Sequence, residues 1–597
     1  MDCANGANPL RRGAGSGDGM ARPETPWNSL PWMLFDLARR SPSRPMFRFW
    51  RDGGWRTVTW AEFAHRTAAV AAGLRAVGVS PGDRVLLVSE SRPEFNIADT
   101  ALMATGAVTV PTYATNLPGD HAHVLRDSGA RAAIVSTPAL AAKVLEGAAE
   151  AGGLDLLVVL DDEPAAEPPA GTRLLPWAAL EAAPGDLPML MAEAEQIPSG
   201  RLACLIYTSG TGGSPKGVML PHRAMLANRA GLATALERLS LDGTPYLSFL
   251  PLSHSYEHTV GCFLLPSLGM EVVYSRGAER LAAEMQEVRP TIITAVPRLF
   301  EVLRAKMLAQ VEKDGGLKRR LFERALSLGL RRLDGPPLGL LERAQDAVLD
   351  RLVRRKVRER FGGRLVGMVC GGARLDPDLS GFFLALGLPV LQGYGQSEAG
   401  PVVSVNLPWN NDRRTVGAPL PGVEARIAED GEILVRGGLV MDGYWNDSEA
   451  TARALDAAAQ GGGPPWLRTG DVGRLEDGRL VVTDRKRDFI KTLGGDMVSP
   501  AKIEGLLMAE PEIAQAVAAG EGQPAIVAVL VPAEGMEDGL ADAVKRVNAR
   551  LSAFERVRRW LPAQPFSVEN GLLTPTMKVK RRLVIERYGR EIAALGR

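Results

Sequence analysis

The chain has 597 residues, of which 46% are hydrophobic and 23% are charged, a composition typical of globular proteins. A chain of this length exceeds what one hydrophobic core holds together, so two or more domains are expected. Its 70 Lys and Arg residues balance 69 Asp and Glu residues, and the net charge of +1 excludes an overall attraction to nucleic acid or to an anionic membrane. Any partner must therefore be recognised by a local site.

The N-terminal segment, residues 1–25, is rich in Gly, Ala, Arg and Pro and has no apolar core of signal-peptide length. It is predicted to be a disordered tail. The uncharged stretch at residues 259–270 is interrupted by two glycines and a proline and is too short for a membrane span. The four cysteines form no CxxC pair, which argues against a zinc cluster or a disulfide framework. These features predict a cytoplasmic protein.

Beyond the tail, short apolar runs alternate with amphipathic segments. Residues 60–77 have apolar side chains at helical spacing, and the β-branched run 84–88 predicts a strand. Further strands of the same kind are predicted at residues 132–135, 156–160, 202–207, 291–295 and 365–370. Strands that alternate with helices predict βαβ units and a mostly parallel sheet. The predicted fold class is α/β, with a large N-terminal domain over residues 26–484.

Two segments depart from this alternation. Residues 304–360 are dense in Arg and Lys and have a helical pattern, which predicts a helical insertion between two strands. After residue 484 the pattern restarts, with a predicted strand at 525–531 and a predicted helix at 540–551. Residues 485–597 are therefore predicted to form a small α+β C-terminal domain.

The most informative motif is Tyr-Thr-Ser-Gly-Thr-Gly-Gly-Ser-Pro-Lys-Gly-Val at residues 207–218. Glycines, hydroxyl groups and one lysine within a few positions predict a cradle for polyphosphate, whereas composition alone is also compatible with a flexible surface linker. It is not a Walker A loop, because Gly217 follows Lys216 where a hydroxyl residue is required. The candidate phosphate ligands are Thr208, Ser209, Gly210, Thr211, Gly212, Gly213, Ser214 and Lys216.

This motif resembles the signature T-S-G-T-T-G-x-P-K-G of the adenylate-forming superfamily, which includes acyl-CoA synthetases, luciferases and peptide-synthetase adenylation domains. Gly212 stands where the second threonine is expected. Residues 392–398 resemble the family's G-Y-G-x-T-E box, in which the tyrosine flanks adenine and the glutamate holds Mg²⁺. A carboxylate beside a triphosphate is repulsive unless a divalent cation bridges them, which agrees with Mg²⁺ at Glu398 and Thr208; a solvated acid is the alternative for an isolated glutamate.

Further boxes follow in the family's order. Residues 371–373 resemble the backbone segment that packs on adenine, and Asp471 occupies the position whose carboxylate accepts hydrogen bonds from the ribose hydroxyls. Arg485 is expected to approach the ribose and phosphate, and Arg487 occupies the hinge position. The nucleotide-binding residues that the resemblance adds are Gly371, Gly372, Ala373, Gln392, Gly393, Tyr394, Gly395, Gln396, Ser397, Asp471 and Arg485. For Lys486 and Asp488 a solvated turn is the preferred interpretation.

The resemblance also implies an adenylation lysine near the C-terminus. Lys578 is the first choice and Lys580 the alternative, so the predicted catalytic groups are Lys578, Lys216, Thr208 and Glu398. His254 belongs to a box that borders the acyl and pantetheine sites, whereas His258 remains unassigned. Gly494 and Gly495 are expected at the surface used in the thioester stage.

The resemblance implies an AMP-forming ligase that adenylates a carboxylic acid with ATP and Mg²⁺ and then transfers the acyl group to coenzyme A. Chain length, the insertion 304–360 and the tail 572–576 resemble long-chain fatty acyl-CoA synthetases. A fatty acyl-AMP ligase and an acyl-acyl-carrier-protein synthetase are alternatives. A catalytically weak nucleotide-binding regulator, suggested by Gly212 and Arg487, is opposed by retention of the other predicted catalytic residues.

The predicted partners are small molecules, and the protein is expected to be a monomer or homodimer. A nucleic-acid-binding role for the basic insertion is opposed by its lack of interleaved aromatic residues. The insertion is interpreted either as a solvated helical pair or as a peripheral contact with the inner face of the membrane.

Overall fold

The computed structural model describes residues 27–161, 170–208, 214–456, 464–494, 496–574 and 578–595. The predicted tail, 1–25, lies outside these residues. Contacts between Cα atoms divide the chain into two units. Unit 1 is Met1–Tyr207, Gly217–Glu424 and Val435–Leu467, and unit 2 is Thr208–Lys216, Ala425–Leu434 and Arg468–Arg597. The domain boundary between residues 484 and 485 stays a prediction.

Sheet I of unit 1 contains the strands that carry several candidate residues. Its spatial order is Ala418–Pro419, Val402–Val405, Val390–Gly395, Gly367–Cys370, Ile292–Ala295, Pro245–Ser248, Glu271–Tyr274, Pro45–Arg51 and Gly54–Thr59. The central neighbours are parallel and the pairs at both ends are antiparallel. The predicted strands at 291–295 and 365–370 are thus confirmed, each slightly shorter than expected.

Sheet II holds the other predicted parallel strands. Its spatial order is Gly443–Tyr444, Lys216–Pro221, Leu202–Thr208, Val108–Thr112, Arg84–Val88, Ala132–Val135, Leu156–Val159 and Arg173–Pro176. The strand Arg84–Val88 is flanked on both sides by parallel neighbours. Its last four residues are buried, as expected for a short apolar strand inside a parallel sheet.

Helices connect the strands of unit 1. They are Leu30–Arg40, Trp60–Ala76, Pro93–Ala104, Pro118–Ser128, Pro138–Ala151, Trp177–Glu181, Leu187–Gln196, His222–Ala235, Ser255–Thr259, Leu265–Ser267, Leu281–Val288, Pro297–Asp314, Gly316–Asp334, Leu340–Leu349, Arg355–Arg360, Pro377–Ala385 and Ser448–Ala454, with π-helical turns at Val260–Leu264 and Asp350–Arg354 and a 3₁₀ turn at Ser397–Ala399. Thr59 begins Trp60–Ala76 with a capping box: its hydroxyl accepts from the Glu62 amide, and the Glu62 carboxylate accepts from the Thr59 amide.

The predicted helical insertion lies between the sheet I strands Ile292–Ala295 and Gly367–Cys370. Its helices begin at Pro297, earlier than the predicted residue 304. Phe322, Ala325 and Leu328 on the second of them are buried. The insertion is therefore partly built into the core of unit 1.

Sheet III comprises Val423–Ile427, Glu432–Gly437, Trp466–Glu476, Leu455–Asp456 and Arg479–Arg485. The strands Trp466–Glu476 and Arg479–Arg485 form an antiparallel hairpin that pairs Glu476 with Arg479. Only Asp477 and Gly478 lie between the strands, and both have positive φ (47° and 75°), as a type I′ turn requires. The Asp-Gly sequence is therefore the local cause of this tight turn.

The C-terminal part of unit 2 has its own sheets and core. Ile490–Lys491 pairs with Met497–Val498, and Ile513–Ala519, Ile526–Pro532 and Val557–Pro562 form a separate sheet. The helices are Pro500–Met508, Leu540–Asn548, Arg581–Arg587 and Gly589–Leu595, with a 3₁₀ turn at Glu537–Gly539. The predicted strand at 525–531 and helix at 540–551 are confirmed within one and three residues, respectively.

Candidate active site

Candidate residues of unit 1 follow the central parallel strands of sheet I. Pro245–Ser248, Gly367–Cys370 and Val390–Gly395 run in the same direction, so their carboxyl ends lie along one edge. In parallel sheets, ligands bind at this edge. The candidate residues that follow these strands are His254, Gly371, Gly372, Ala373, Gln396, Ser397 and Glu398.

The glycine pair after Cys370 lies against an aromatic ring. A Cβ atom at Gly371 would lie 3.2 Å from the Tyr256 ring, tighter than ordinary contact. The Tyr256 hydroxyl donates to the Val369 carbonyl at 3.2 Å, which fixes the ring beneath the segment. Gly372 and Ala373 are exposed, so their backbone is open to a flat ligand. The predicted contact with adenine fits this geometry and remains a prediction.

The strand that carries Gln392, Gly393, Tyr394 and Gly395 pairs antiparallel with Val402–Val405. Gln392 is buried, and the next residues of the motif are half-buried. A Cβ atom at Gly395 would lie 1.9 Å from the Pro401 carbonyl oxygen, so only glycine fits there. Close packing against the Pro401 backbone is therefore sufficient to require glycine at position 395, whether or not a ligand binds there.

Glu398 lies on the 3₁₀ turn after this strand and is half-buried. The Tyr444 hydroxyl donates to its Oε1 at 2.8 Å, which orients the carboxylate. Within the described ranges, no group of three or more His, Cys, Asp or Glu residues could hold a metal ion. A single oriented carboxylate fits Mg²⁺, which binds one or two carboxylates together with substrate phosphates and water.

His254 and Ser255 begin a short helix at this edge. The half-buried His254 Nδ1 accepts from the Tyr256 amide at 3.2 Å, and the His254 ring centroid lies 6.4 Å from that of Tyr113. The Ser255 and Ser397 hydroxyls lie 2.7 Å apart, which connects this helix with the Glu398 turn. The structure therefore brings two predicted boxes into direct contact.

Sequence reasoning missed Glu257 in the same helix. Its fully buried carboxylate accepts from Tyr246 at 2.5 Å, Ser248 at 2.6 Å and Thr294 at 2.8 Å. Burial raises the pKa of Glu257, and the three hydroxyl donors partly offset the rise. Gly261, four residues later, leaves space for this carboxylate, since a Cβ atom there would lie 2.6 Å from Glu257 Oε1.

His258 contacts core residues. Its Nε2 lies 3.1 Å from Asp99 Oδ2, and both side chains are buried. Its ring also makes edge contacts with Phe95 and Phe263. These contacts give His258, unassigned from sequence, a structural role that fixes the far end of the helix.

The phosphate motif joins two strands of sheet II. Thr208 ends the strand Leu202–Thr208, and Lys216, which is half-buried, begins Lys216–Pro221. A strand therefore follows the motif, whereas a helix would follow a Walker A loop. Ser214 is exposed; the predicted ligands Ser209, Gly210, Thr211, Gly212 and Gly213 lie outside the described residues.

In unit 2, the hairpin of sheet III places two candidate residues opposite each other. Asp471 pairs in register with Arg485, and the Arg485 Nε lies 3.3 Å from Asp471 Oδ1. Asp471 is buried and Arg485 is half-exposed. The Asp477-Gly478 turn sets the register near the end of the hairpin, and a bulge between Val472 and Gly473 shifts it by one residue, so that Asp471 lies opposite Arg485.

Lys578 lies on a loop closed by Thr574. The Thr574 amide donates to the Lys578 carbonyl at 2.7 Å, and the Lys578 amide donates to the Thr574 hydroxyl at 3.0 Å. Desolvation and the positive charge of Arg485 lower the pKa of Lys578 to about 8, against the opposing effect of Asp471. By accessible area the residue as a whole is exposed, so the desolvation that lowers this pKa acts on the ammonium group beside Arg485 and Asp471 rather than on the entire side chain. Its electrostatic neighbours are thus the two predicted nucleotide-binding residues.

The residues after Arg485 form a charged turn. Lys486, interpreted from sequence as solvated, has its Nζ 2.5 Å from Asp430 Oδ2 and 3.2 Å from Glu432 Oε2, so it ties the turn to sheet III. Burial raises the pKa of Asp488, which lies near the opposing charges of Arg581 and Arg485.

The remaining candidates of unit 2 lie on exposed turns. Arg487, the predicted hinge residue, is exposed. Gly494 is also exposed, in the turn between Ile490–Lys491 and Met497–Val498, and Gly495 lies outside the described residues. Their roles stay predictions.

Family models match both the N-terminal and the C-terminal part of the chain. A family model described as AMP-binding enzyme matches residues 34–445, and one described as AMP-binding enzyme C-terminal domain matches residues 487–596. The long-chain-fatty-acid–CoA ligase FadD15 of Mycobacterium tuberculosis is 35% identical over 94% of this chain and 96% of its own. The peroxisomal long chain acyl-CoA synthetase 7 of Arabidopsis thaliana is 32% identical over 89% of this chain and 80% of its own.

Solved structures share the fold at lower identity. The o-succinylbenzoate coenzyme A synthetase of Bacillus subtilis, in complex with ATP and magnesium, is 21% identical and has a TM-score of 0.66 over 92% of this chain and 98% of its own. The A-PCP didomain of a carboxylic acid reductase from Segniliparus rugosus, in complex with AMP, is 20% identical and has a TM-score of 0.72 over 96% of this chain and 82% of its own.

Proposed function

The chain belongs to the family of AMP-binding enzymes, and from that membership we propose that it is an AMP-forming ligase that joins a long-chain fatty acid to coenzyme A. The observation that carries the proposal is the arrangement of Lys578, Arg485 and Asp471 in unit 2. It combines a carboxylate suited to ribose hydroxyls with two cationic groups suited to a phosphate. Similarity to fatty-acid–CoA ligases along almost the whole chain supports the choice of acid and acceptor.

The first half-reaction must turn a carboxylate into an electrophile. A carboxylate oxygen attacks the α-phosphorus of ATP, the bond to the bridging oxygen breaks, and pyrophosphate leaves with its electron pair. The resulting acyl-adenylate has AMP as a good leaving group. Negative charge accumulates around the phosphorus, so catalysis depends on positioned positive charge rather than on a protein base.

We assign the roles of the site residues accordingly. Lys578 stabilises the charge on the reacting phosphate and carboxylate oxygens, and Arg485 contacts the ribose and phosphate. Asp471 accepts hydrogen bonds from the ribose hydroxyls. The motif 208–216 holds the remaining phosphates through hydroxyl and amide groups. Mg²⁺, when bound at Glu398 with Thr208 as a further ligand, neutralises phosphate charge.

In the second half-reaction, the thiol of coenzyme A attacks the acyl carbonyl, AMP leaves, and the thiol proton passes to solvent. Thiol entry requires that Lys578 withdraw from the carbonyl. We propose that rotation about Arg487 achieves this and that Gly494 and Gly495 then belong to the thioester-stage surface. His254 borders the acyl and pantetheine path. An Arg487→Pro variant that makes thioester at the normal rate would contradict the rotation.

Pyrophosphate exchange tests the proposal directly. The purified protein is incubated with ATP, labelled pyrophosphate and fatty acids of increasing chain length. Exchange that depends on a long-chain acid is expected, and absence of exchange with every acid would overturn the ligase assignment. AMP release that requires coenzyme A supports the acceptor. AMP release that requires acyl carrier protein would make that protein the acceptor instead of coenzyme A. A reaction that stops at acyl-AMP would make the protein a fatty acyl-AMP ligase.

The proposal also covers the cellular location of the protein and its partners. None of the helices in the described ranges is both long enough and apolar enough to cross a membrane. We place the enzyme in the cytoplasm on the basis of its dispersed cysteines, with peripheral contact at the inner face of the membrane. Its partners are ATP, a carboxylic acid and coenzyme A, and it works as a monomer or homodimer.

A further inference from the structure

The last helical segment of the insertion, residues 340–360, exposes four apolar side chains. Leu340 is 84% exposed and Leu341 is 88% exposed, while Val348 and Leu352 are about half exposed. Leu341, Val348 and Leu352 are spaced at i, i+7 and i+11, which places them on one side of a helix. These four residues are termed the apolar ridge. An exposed apolar cluster of this kind marks an interaction surface.

The opposite side of the same segment is fixed in the core. The Arg354 guanidinium is fully buried and donates at 2.7 Å to the Ala385 carbonyl, the Ala325 carbonyl and Asp346 Oδ1. Leu349 is buried on this side as well. Rotation of the helix to hide the apolar ridge would leave a charged group without partners, at a large cost in free energy. The ridge is therefore held outward.

Positive charge surrounds the ridge. Residues 304–360 contain 16 Lys and Arg residues against 8 Asp and Glu residues, in a chain whose net charge is +1. Arg351, Arg355 and Lys356 are exposed in the same helical segment as the ridge. The acidic side chains of the segment form ion pairs with basic ones: Glu342 with Arg331, Asp346 with Arg354, Asp350 with Arg358 and Glu359 with Arg355.

We propose that the apolar ridge and its basic border dock on the surface of an anionic phospholipid bilayer. Exposed leucines fit the acyl boundary of a bilayer, and Lys and Arg side chains fit its phosphate groups. A second copy of the chain is a poor occupant, because a symmetric contact would bring two basic segments together. The charge complementarity therefore favours lipid.

Docking on a bilayer would bear on how the enzyme obtains its fatty acid. A long-chain fatty acid partitions into bilayers, so docking would place the enzyme beside its acid. This link to substrate supply rests on the proposed function, whereas the lipid contact does not. Binding is measured without ATP, so a protein that binds vesicles but lacks ligase activity would overturn only the proposed function.

The experiment is vesicle flotation of the full chain with phosphatidylcholine vesicles that contain either no anionic lipid or about 30% phosphatidylglycerol. Point variants are used, because deletion of 304–360 would remove buried residues such as Arg354 and Leu328. The apolar variant is Leu340→Gln/Leu341→Gln, and the charge variant is Arg351→Gln/Lys356→Gln. The controls are Met189→Gln and Arg56→Gln, which replace one exposed apolar and one exposed basic side chain outside the insertion.

Wild-type protein is expected to float with anionic vesicles only, and less so at high salt. The leucine variant should bind at least about tenfold more weakly, and the charge variant about fivefold more weakly for each charge removed. Both controls should bind like wild type. Circular dichroism and pyrophosphate exchange with a water-soluble acid should be unchanged in all variants.

Three results would overturn the proposal. The first is wild-type protein that does not float with anionic vesicles, and the second is a leucine variant that floats like wild type. The third is a lower oligomeric state of the leucine variant in lipid-free buffer, measured by light scattering, which would assign the ridge to a second copy of the chain.

Discussion

The helix at His254–His258 and the loop of Lys578 are both candidate parts of one enzyme, yet they are held in opposite ways. Successive side chains of the helix contact different elements: Ser255 contacts Ser397, Glu257 accepts three hydroxyl hydrogen bonds, and His258 contacts Asp99. The described part of the Lys578 loop is closed by hydrogen bonds to Thr574, and its side chain is exposed. The helix is thus held by several separate elements, whereas the described hydrogen bonds of Lys578 are with residues close to it in the chain.

The largest expected effect concerns the loop. Lys578→Ala should reduce pyrophosphate exchange about 10³-fold, because loss of one donor to developing charge costs 10²–10³ in rate and the replaced group carries a full charge. Formation of thioester from supplied acyl-adenylate should be nearly unchanged. Lys580→Ala is the matched control and should retain exchange. Loss of exchange in the Lys580 variant with retention in the Lys578 variant would reverse the assignment.

The same substitution, glycine to alanine, can be compared at a tightly packed position and at an open one. Gly395→Ala places a Cβ atom 1.9 Å from the Pro401 carbonyl, so the strand must shift, and we expect exchange to fall about 10²-fold. At Gly494 the nearest atom to an added Cβ is 3.4 Å away, an ordinary contact. Gly494→Ala should therefore retain exchange. Equal losses in the two variants would contradict the contrast between the tightly packed and the open position.

Glu257 tests the rigid helix through stability. Glu257→Ala removes the acceptor of three buried hydroxyl groups, and the melting temperature should fall by an amount equivalent to about 2 kcal/mol. Glu449→Ala, which removes an 84% exposed side chain from a helical surface pair, should cost at most about 0.5 kcal/mol. Calorimetry of the full chain distinguishes the two. A Glu257 variant as stable as the Glu449 variant would show that the buried network does not hold the helix.

The smallest expected effect is on pH dependence. The protonated ammonium group of Lys578 is the active form, and its pKa is lowered to about 8. Exchange should therefore decline as pH rises through about 8, by about tenfold between pH 7 and pH 9. Lys578→Arg should remove this decline, because a guanidinium group stays charged over this range. A wild-type profile that is flat to pH 9 would contradict the lowered pKa.

Local patterns predicted much of the fold. The strand Arg84–Val88 and the helix Trp60–Ala76 were predicted within one residue, because each has a strong period and a clear turn or cap. The phosphate motif, the Glu398 box and the order of the motifs were also identified from residue strings, and their ligand roles stay predictions. Such features depend on neighbours in the chain.

Long-range partners were not predictable in the same way. Glu257 receives hydrogen bonds from Tyr246, Ser248 and Thr294, which lie on two different strands, and nothing in its own segment signals them. The ion pairs of Lys486 depend on Asp430 and Glu432, more than 50 residues away. Glu257 and Lys486 acquire their environments only when the sheets are assembled.

The two-residue turn at Asp477-Gly478 helps to set the register of the two strands that it joins. Together with the bulge between Val472 and Gly473, it sets the register that places Asp471 opposite Arg485 across the hairpin. One inserted residue would reverse the faces of the following strand and separate the carboxylate from the guanidinium. Although the turn is exposed, it is therefore a poor position for a tag or a circular permutation.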